Sequence, residues 1–450
     1  MKQETIICIN QLKSFLSFPS ISAESSKEAL KDCAIWLYNY LKEIGLQTVK
    51  IHTTKLHPIV YAEYVSLPSL KTILFYGHYD VQPVDPVNKW HSHPFKAIIK
   101  GDHIYGRGAS DDKGQLFIHL KAIEKLIKRT GLLPVNVKFL IEGAEEIGSA
   151  GLQEFIIENA KMLKCDAVVV SDTKMLSEDI PAITYSLRGA LNAEIKVQTS
   201  EKDLHSGTFG GCVPNATIVL SDFLNSLHNT DHSIAIKDFY NDVTQISSEE
   251  RNFMLNNGPS DKDILRDAGT DTMWGEKGYS LYEKTTIRPS LSVTGISGGY
   301  QGEGVKNVIP STAGAKLNFR LAMGQKPETV QALLNRHIEE RIPAGIGFQV
   351  KYSSPGYPVG FTRDNKYIIA ASNAYEKVFN VKPCLIRSGG TIPAVDYLHT
   401  ILHAPVVLMG FAQAGDNMHA PDEKFYLPNF FRGIDTIINF IINIGKMNTG

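Results

Sequence analysis

The chain has 450 residues, 43% hydrophobic and 21% charged, with a formal net charge of −1. That composition excludes disordered and fibrous classes, and the length exceeds what a single core usually serves, so two domains are expected. Near-neutral charge with scattered Lys and Arg gives no electrostatic reason for a nucleic-acid or anionic-membrane partner.

The N-terminal apolar residues are broken by Asn10, Gln11, Lys13 and Ser14. No signal-peptide core is read there, and no apolar run is long enough to span a bilayer. Cys8, Cys33, Cys165, Cys212 and Cys384 are odd in number and far apart, which argues against a disulfide framework and for a reducing, cytoplasmic location. Residues 28–46 carry Leu30, Ala34, Leu37 and Leu41 at helical spacing. Residues 72–76 read as a short buried strand, 115–129 as a helix, and 135–141 as a strand with every second position apolar. A helix over 151–160 and an apolar strand over 167–170 follow. This alternation predicts an α/β domain whose mostly parallel sheet is flanked by helices.

The pattern then changes. Residues 190–197 read as a strand, 229–288 as a long polar and irregular stretch, 287–296 and 315–321 as strands, and 326–342 as a helix. From about residue 365 the first pattern returns, with a helix over 367–379, a strand over 405–411 and a helix over 430–444. The expectation is one domain of residues 1–187 and 364–450, interrupted by an α+β domain of residues 188–363.

Five motifs carry candidate chemistry. His78 and Asp80 stand two apart where a strand ends, so their side chains share a face. One can bind a metal while the other fixes the imidazole. Gly106-Arg107-Gly108-Ala109-Ser110-Asp111-Asp112 precedes the 115–129 helix, and taken alone Ser110 or Asp111 reads first as a cap of that helix. Glu145 and Glu146 are adjacent carboxylates that repel unless solvated or held by cations. One suits a metal ligand and the other a general base toward water. Asp172 follows the 167–170 strand, and His419 lies in a loop after the 405–411 strand. His78, Glu146 and Asp172 all fall at or just past strand C-termini, the edge where open α/β sheets bind ligands. Two His and three carboxylates without Cys match catalytic Zn²⁺, Mn²⁺ or Co²⁺ sites rather than structural zinc. The pair His91 and His93 ranks lower, because no acidic companion is evident.

Read together, GHYDVQPV (77–84), Trp90 with Pro94-Phe95, GRGASDDKG (106–114), EGAEEIGS (142–149), VVVSD (168–172), LHSGTFGG (204–211), NVIP (307–310), SGGTIP (388–393) and MHAPDE (418–423) resemble the M20 metallopeptidase family. Within it, the resemblance is to the cytosolic dipeptidase and carnosinase-like branch. It covers nearly the whole chain in family order. The resemblance implies a dinuclear centre in which Asp111 bridges two ions. His78 and Asp172 complete one, and Glu146 and His419 the other. Asp80 braces His78, Glu145 is the general base, and the Asp111–Asp112 peptide is cis. It further implies that the inserted domain is a lid carrying a homodimer interface, with His205 lent to the partner subunit to steady an oxyanion. Arg320, Asn307, Gly389, Gly390 and Thr391 would hold the substrate's carboxylate. Read alone, His205 suits a turn and Arg320 an ion pair. The implied activity is hydrolysis of dipeptides or short peptides with a free C-terminus. Asp rather than Glu at position 172 and the long insertion favour it over the alternative, an N-acyl amino acid deacylase.

Overall fold

Parallel strands are covered on both faces, and four strands buried along nearly all their length sit side by side at the centre of this fold. The computed structural model describes residues 3–24 and 27–447. The chain divides into two units. One comprises Met1–Tyr185, Phe361–Ile386 and Ile392–Gly450, the other Ser186–Gly360 and Arg387–Thr391. The segment Arg387–Thr391, which chain order would assign to the returning catalytic domain, therefore groups with the insertion.

In the first unit the sheet order is Thr48–His52, Ile59–Tyr64, Asn136–Glu142, Thr72–His78, Ala167–Val170, Val406–Met409 and Ala182–Leu187. The four middle strands, from Asn136–Glu142 to Val406–Met409, run parallel, and the outer ones are antiparallel. The pattern left those outer strands unread. Leu116, Phe117 and Leu120 of helix Lys113–Thr130 share one core with Phe430, Ile434 and Ile437 of helix Leu427–Lys446 and with Phe75 and Phe139 of the strands. Each large apolar side chain buried this way contributes about 1.5–3 kcal/mol.

Boundaries differ from expectation where special geometry intervenes. The 72–76 strand runs on to His78, so the histidine is its last residue. The 115–129 helix begins at Lys113. Its N-cap is Asp112, without a side-chain cap bond, and it ends on Gly131 in the left-handed region at φ 72°. Neither Ser110 nor Asp111 caps it. The 28–46 helix stops at Glu43, and the 151–160 helix is two pieces, Leu152–Glu158 and Ala160–Leu163.

The second unit is built on an antiparallel sheet in the order Ser290–Gly298, Thr312–Leu321, Gly189–Gln198 and Gly347–Gly356. Helices Ala216–Asn225 and Pro327–Arg341 close its core through Leu220, Phe223, Val330 and Leu334. Residues 229–288 are not the irregular stretch expected. They hold helices Ser248–Asn257, Asp261–Ala268 and Leu281–Thr286. Among the described residues no helix is long and apolar enough to cross a membrane. All five cysteines are free.

Candidate metal centre

Parallel strands deliver their C-terminal ends to one edge. His78 closes one strand, Glu142 closes its neighbour, and Asp172 follows the next by two residues. Glu145 and Glu146 sit in the short 3₁₀ turn Glu145–Ile147. Asp111 lies just before helix Lys113–Thr130, across a cis peptide to Asp112. His419 occupies a loop position with φ 61°. Ligand atoms of His78, Asp111 and Asp172 all lie within 4.8 Å of one another, and so do those of Asp111, Glu146 and His419. Asp111 belongs to both groups. His419 Nε2 is 2.8 Å from Asp111 Oδ2 and 3.3 Å from Glu146 Oε2, and His78 Nε2 is 3.2 Å from Asp111 Oδ1.

What the donor set lacks points to a cation. His78 is fully buried, and its Nε2 makes no hydrogen bond despite its nearness to Asp111. A buried ring nitrogen left without a partner costs free energy unless something else binds it. The carboxylates say the same. Burial first, then the charge of Asp111, pushes Asp172 up to about 7 and Glu146 up to about 8. Burial raises Glu145 well above the carboxylate range, and the charges of Asp172 and Glu146 add to it. Asp111 moves the opposite way: burial opposes its charge, but the hydrogen bond with His419 and the nearness of His78 hold its pKa low. Burial also works against a charged His78, yet Asp111 and Asp80 hold its pKa well above the usual imidazole value. Four crowded acids with too little positive charge are what divalent ions resolve. The residues fit.

Asp80 organises this edge. Its carboxylate accepts the backbone N–H of Glu145 (3.2 Å) and of Glu146 (3.0 Å). It also lies 3.4 Å from His78 Nδ1, which is 3.1 Å from the Asp80 carbonyl. One side chain thus sets both the imidazole and the paired glutamates. Gln82 Nε2 donates to Glu146 Oε2 at 2.6 Å. Among the described residues none forms a hydrogen bond or ion pair with the Glu145 carboxylate.

Sequence reasoning missed Glu423. It is fully buried, and its carboxylate accepts from Arg107 Nη1 (2.9 Å) and from the backbone N–H groups of Gly108 (2.9 Å), Ser110 (2.9 Å) and Asp111 (3.1 Å). Four residues after His419, it ties that histidine's loop to the loop of Asp111. The run MHAPDE contained it, but nothing in a sequence marks a carboxylate as a receiver of distant amides. His91 does have an acidic companion: Asp422 Oδ1 accepts its backbone N–H at 2.9 Å, and the other oxygen meets its ring.

The remaining candidates lie in the second unit. His205 Nδ1 accepts the N–H of Gly207 at 3.0 Å, which leaves Nε2 to carry the proton. Strand residues Leu204 and His205 pair with Ile309 and Val308, and the Asn307 carbonyl accepts the Ser206 N–H at 3.2 Å. Arg320 Nη1 donates to Thr391 Oγ1 at 2.9 Å, with Gly389 and Gly390 in the same loop. Among the described residues Arg320 has no ion-pair partner, unlike the plain reading of that residue.

The profile of peptidase family M20/M25/M40 matches residues 74–443. Cys-Gly metallodipeptidase dug1 of Schizosaccharomyces pombe is 29% identical over 461 residues, spanning 98% of this chain and 96% of that protein. The Beta-Ala-His dipeptidase of Homo sapiens is 30% identical over 403 residues, spanning 87% and 78%. Among solved structures, an M20 family metallo-carboxypeptidase from Sulfolobus solfataricus superposes with a TM-score of 0.90 at 32% identity, covering 99% of this chain and 100% of that one.

Proposed function

For a chain that belongs to peptidase family M20/M25/M40, we propose that the peptidase activity is hydrolysis of dipeptides or short peptides with a free C-terminal carboxylate, at a centre holding two divalent ions. The observation that carries this is the pair of ligand groups sharing Asp111. His78, Asp111 and Asp172 would hold one ion, and Asp111, Glu146 and His419 the other, zinc in the first instance with manganese or cobalt as alternatives. Such ions supply Lewis-acid polarisation and a lowered pKa for water.

The chain's own groups do the rest. Glu145, unpaired and with a raised pKa, takes the proton from the attacking water and returns it to the leaving amine. Asp80 keeps Glu145, Glu146 and His78 in mutual register. In the second unit, which we read as the lid and dimerisation domain, Arg320 pairs with the substrate carboxylate, helped by Asn307 and by Gly389, Gly390 and Thr391. His205, with its proton on Nε2, donates to the developing oxyanion of the other subunit in a homodimer. Free cysteines throughout favour a cytoplasmic setting.

Glu145→Ala is expected to lower turnover by at least about 10³-fold with metal content unchanged; near-normal hydrolysis in that variant sinks the base assignment. A second reading, removal of C-terminal residues from longer peptides, is favoured by the likeness to the Sulfolobus carboxypeptidase. A panel of dipeptides, longer peptides and N-acetyl amino acids on metal-reconstituted enzyme decides among dipeptidase, carboxypeptidase and deacylase.

A further inference from the structure

A buried guanidinium is costly unless its charge is met and its donors are placed. Two arginines of the second unit follow that rule with acids. Arg288 binds Glu276 through two 2.8 Å hydrogen bonds, and Arg387 binds Glu250 at 2.8 and 3.1 Å. Arg188 does not. Only 8% exposed, it spends its donors on neutral oxygens: Nε on the Gly389 carbonyl (3.2 Å), and Nη1 on the Arg288 carbonyl (3.1 Å), Ser290 Oγ (3.3 Å) and the Lys284 carbonyl (3.4 Å). Among the described residues no carboxylate answers its charge.

Its neighbours are the residues of the candidate carboxylate subsite. Arg188 N–H donates to the Gly390 carbonyl at 3.1 Å. The Arg188 carbonyl accepts Thr391 Oγ1 at 2.7 Å, and that same hydroxyl accepts from Arg320 Nη1 at 2.9 Å. Ala190, two residues on, is the register partner of Arg320. A Cβ on Gly389 would sit 3.0 Å from Arg188 Nη2 and 2.3 Å from the Thr285 carbonyl, so the loop is moulded on this guanidinium. Burial, and then the Arg320 charge, pulls Arg188 down to about 10, as fits a cation short of counter-charge.

We infer that Arg188 is a positioning residue for substrate selection: it shapes the Gly389-Gly390-Thr391 loop and adds, beside Arg320, a second positive charge that a carboxylate-bearing substrate neutralises. The inference rests on the reading of Arg320 as the carboxylate holder.

The test compares one dipeptide with its C-terminal amide on metal-loaded wild type, Arg188→Gln, Arg188→Lys and Arg320→Gln. Arg188→Gln is expected to raise KM for the free acid about tenfold or more, with kcat held within about threefold and the amide's kcat/KM nearly unchanged. Arg188→Lys should recover part of the loss, since it keeps the charge without the fork. Equal losses on acid and amide, or no loss at all, overturn the inference. If Arg188→Gln does not fold, Arg188→Lys decides alone: a KM rise confined to the acid supports the role, and equal effects on both substrates overturn it. A wild type indifferent to the amide sinks the parent reading and this inference with it. An acid preference abolished by Arg320→Gln yet untouched by Arg188→Gln sinks only this inference.

Discussion

Asp80 and Glu423 fix the backbone of the loops that carry the ligands, and each does so with a carboxylate that receives amides. Glu423→Gln keeps the shape but leaves one acceptor oxygen facing donors that a carboxylate satisfied with two, and it strips Arg107 of its counter-charge. We expect a loss of about 2–4 kcal/mol in stability, read as a lower Tm, and metal affinity weakened roughly 10–100-fold, read by cobalt titration of the metal-free protein. His119 offers a separate test. It is buried against Phe75, with ring centroids 4.8 Å apart and neither nitrogen hydrogen-bonded, and burial pushes its pKa from 6.5 down to about 3. Only the unfolded chain takes up that proton, so this contribution is intact above pH 6.5 and is lost as pH falls toward 3. In metal-free protein, His119→Leu should flatten the fall of Tm between neutral pH and about pH 4 relative to wild type; parallel curves refute the assignment. At this scale the five candidate positions that the structure gathers could be picked out beforehand, four of them because an acid or histidine at or after an apolar strand stands out. The grip of Asp80 on two amides and of Glu423 on three was not, since amide donors have no sequence signature.

Elements carry their own evidence. Helix Lys113–Thr130 begins against the Asp111 turn, and Gly114 permits that contact: a Cβ there would lie 1.9 Å from the Ala109 carbonyl oxygen. Backbone cannot yield as a side-chain tip does, so Gly114→Ala is expected to cost about 3 kcal/mol and to displace Asp111, seen as a fall in both Tm and metal stoichiometry. The helices within 229–288 went unread because their apolar stripes are weak. Asp261–Ala268 has no buried residue and Ser248–Asn257 only Met254. Their starts were nonetheless written in the chain. Ser260 with Asp263 and Ser280 with Glu283 form complete capping boxes, and Ser247 accepts the N–H of Glu250. The outer strands Thr48–His52 and Ile59–Tyr64 escaped for another reason: the first is short and mostly uncovered, the second is buried along nearly its whole length, and neither gives a clear alternation.

Across the whole molecule, the interruption of one unit by another was legible as a change and return of pattern, whereas the five-residue excursion Arg387–Thr391 was not. That segment is held by contacts such as Arg387 to Glu250 and Thr391 to Arg188, which bridge more than a hundred positions. Chelation is expected to abolish hydrolysis and to lower Tm, because ions bound only by the folded chain stabilise it by mass action, about 4 kcal/mol at a thousandfold excess over Kd. Readdition of zinc, manganese or cobalt should restore both, and a Tm indifferent to chelator argues against ions at this edge. The hydrogen bonds from Gly108, Ser110 and Asp111 to Glu423 also set a timetable. A growing polypeptide displays His78, Asp111, Glu146 and Asp172 long before His419 and Glu423 leave the ribosome, so on the proposed reading the centre stays incomplete until both have emerged. A nascent chain stalled ahead of His419 is expected to hydrolyse nothing, while a chain released with His419 and Glu423 folded in place is expected to be active.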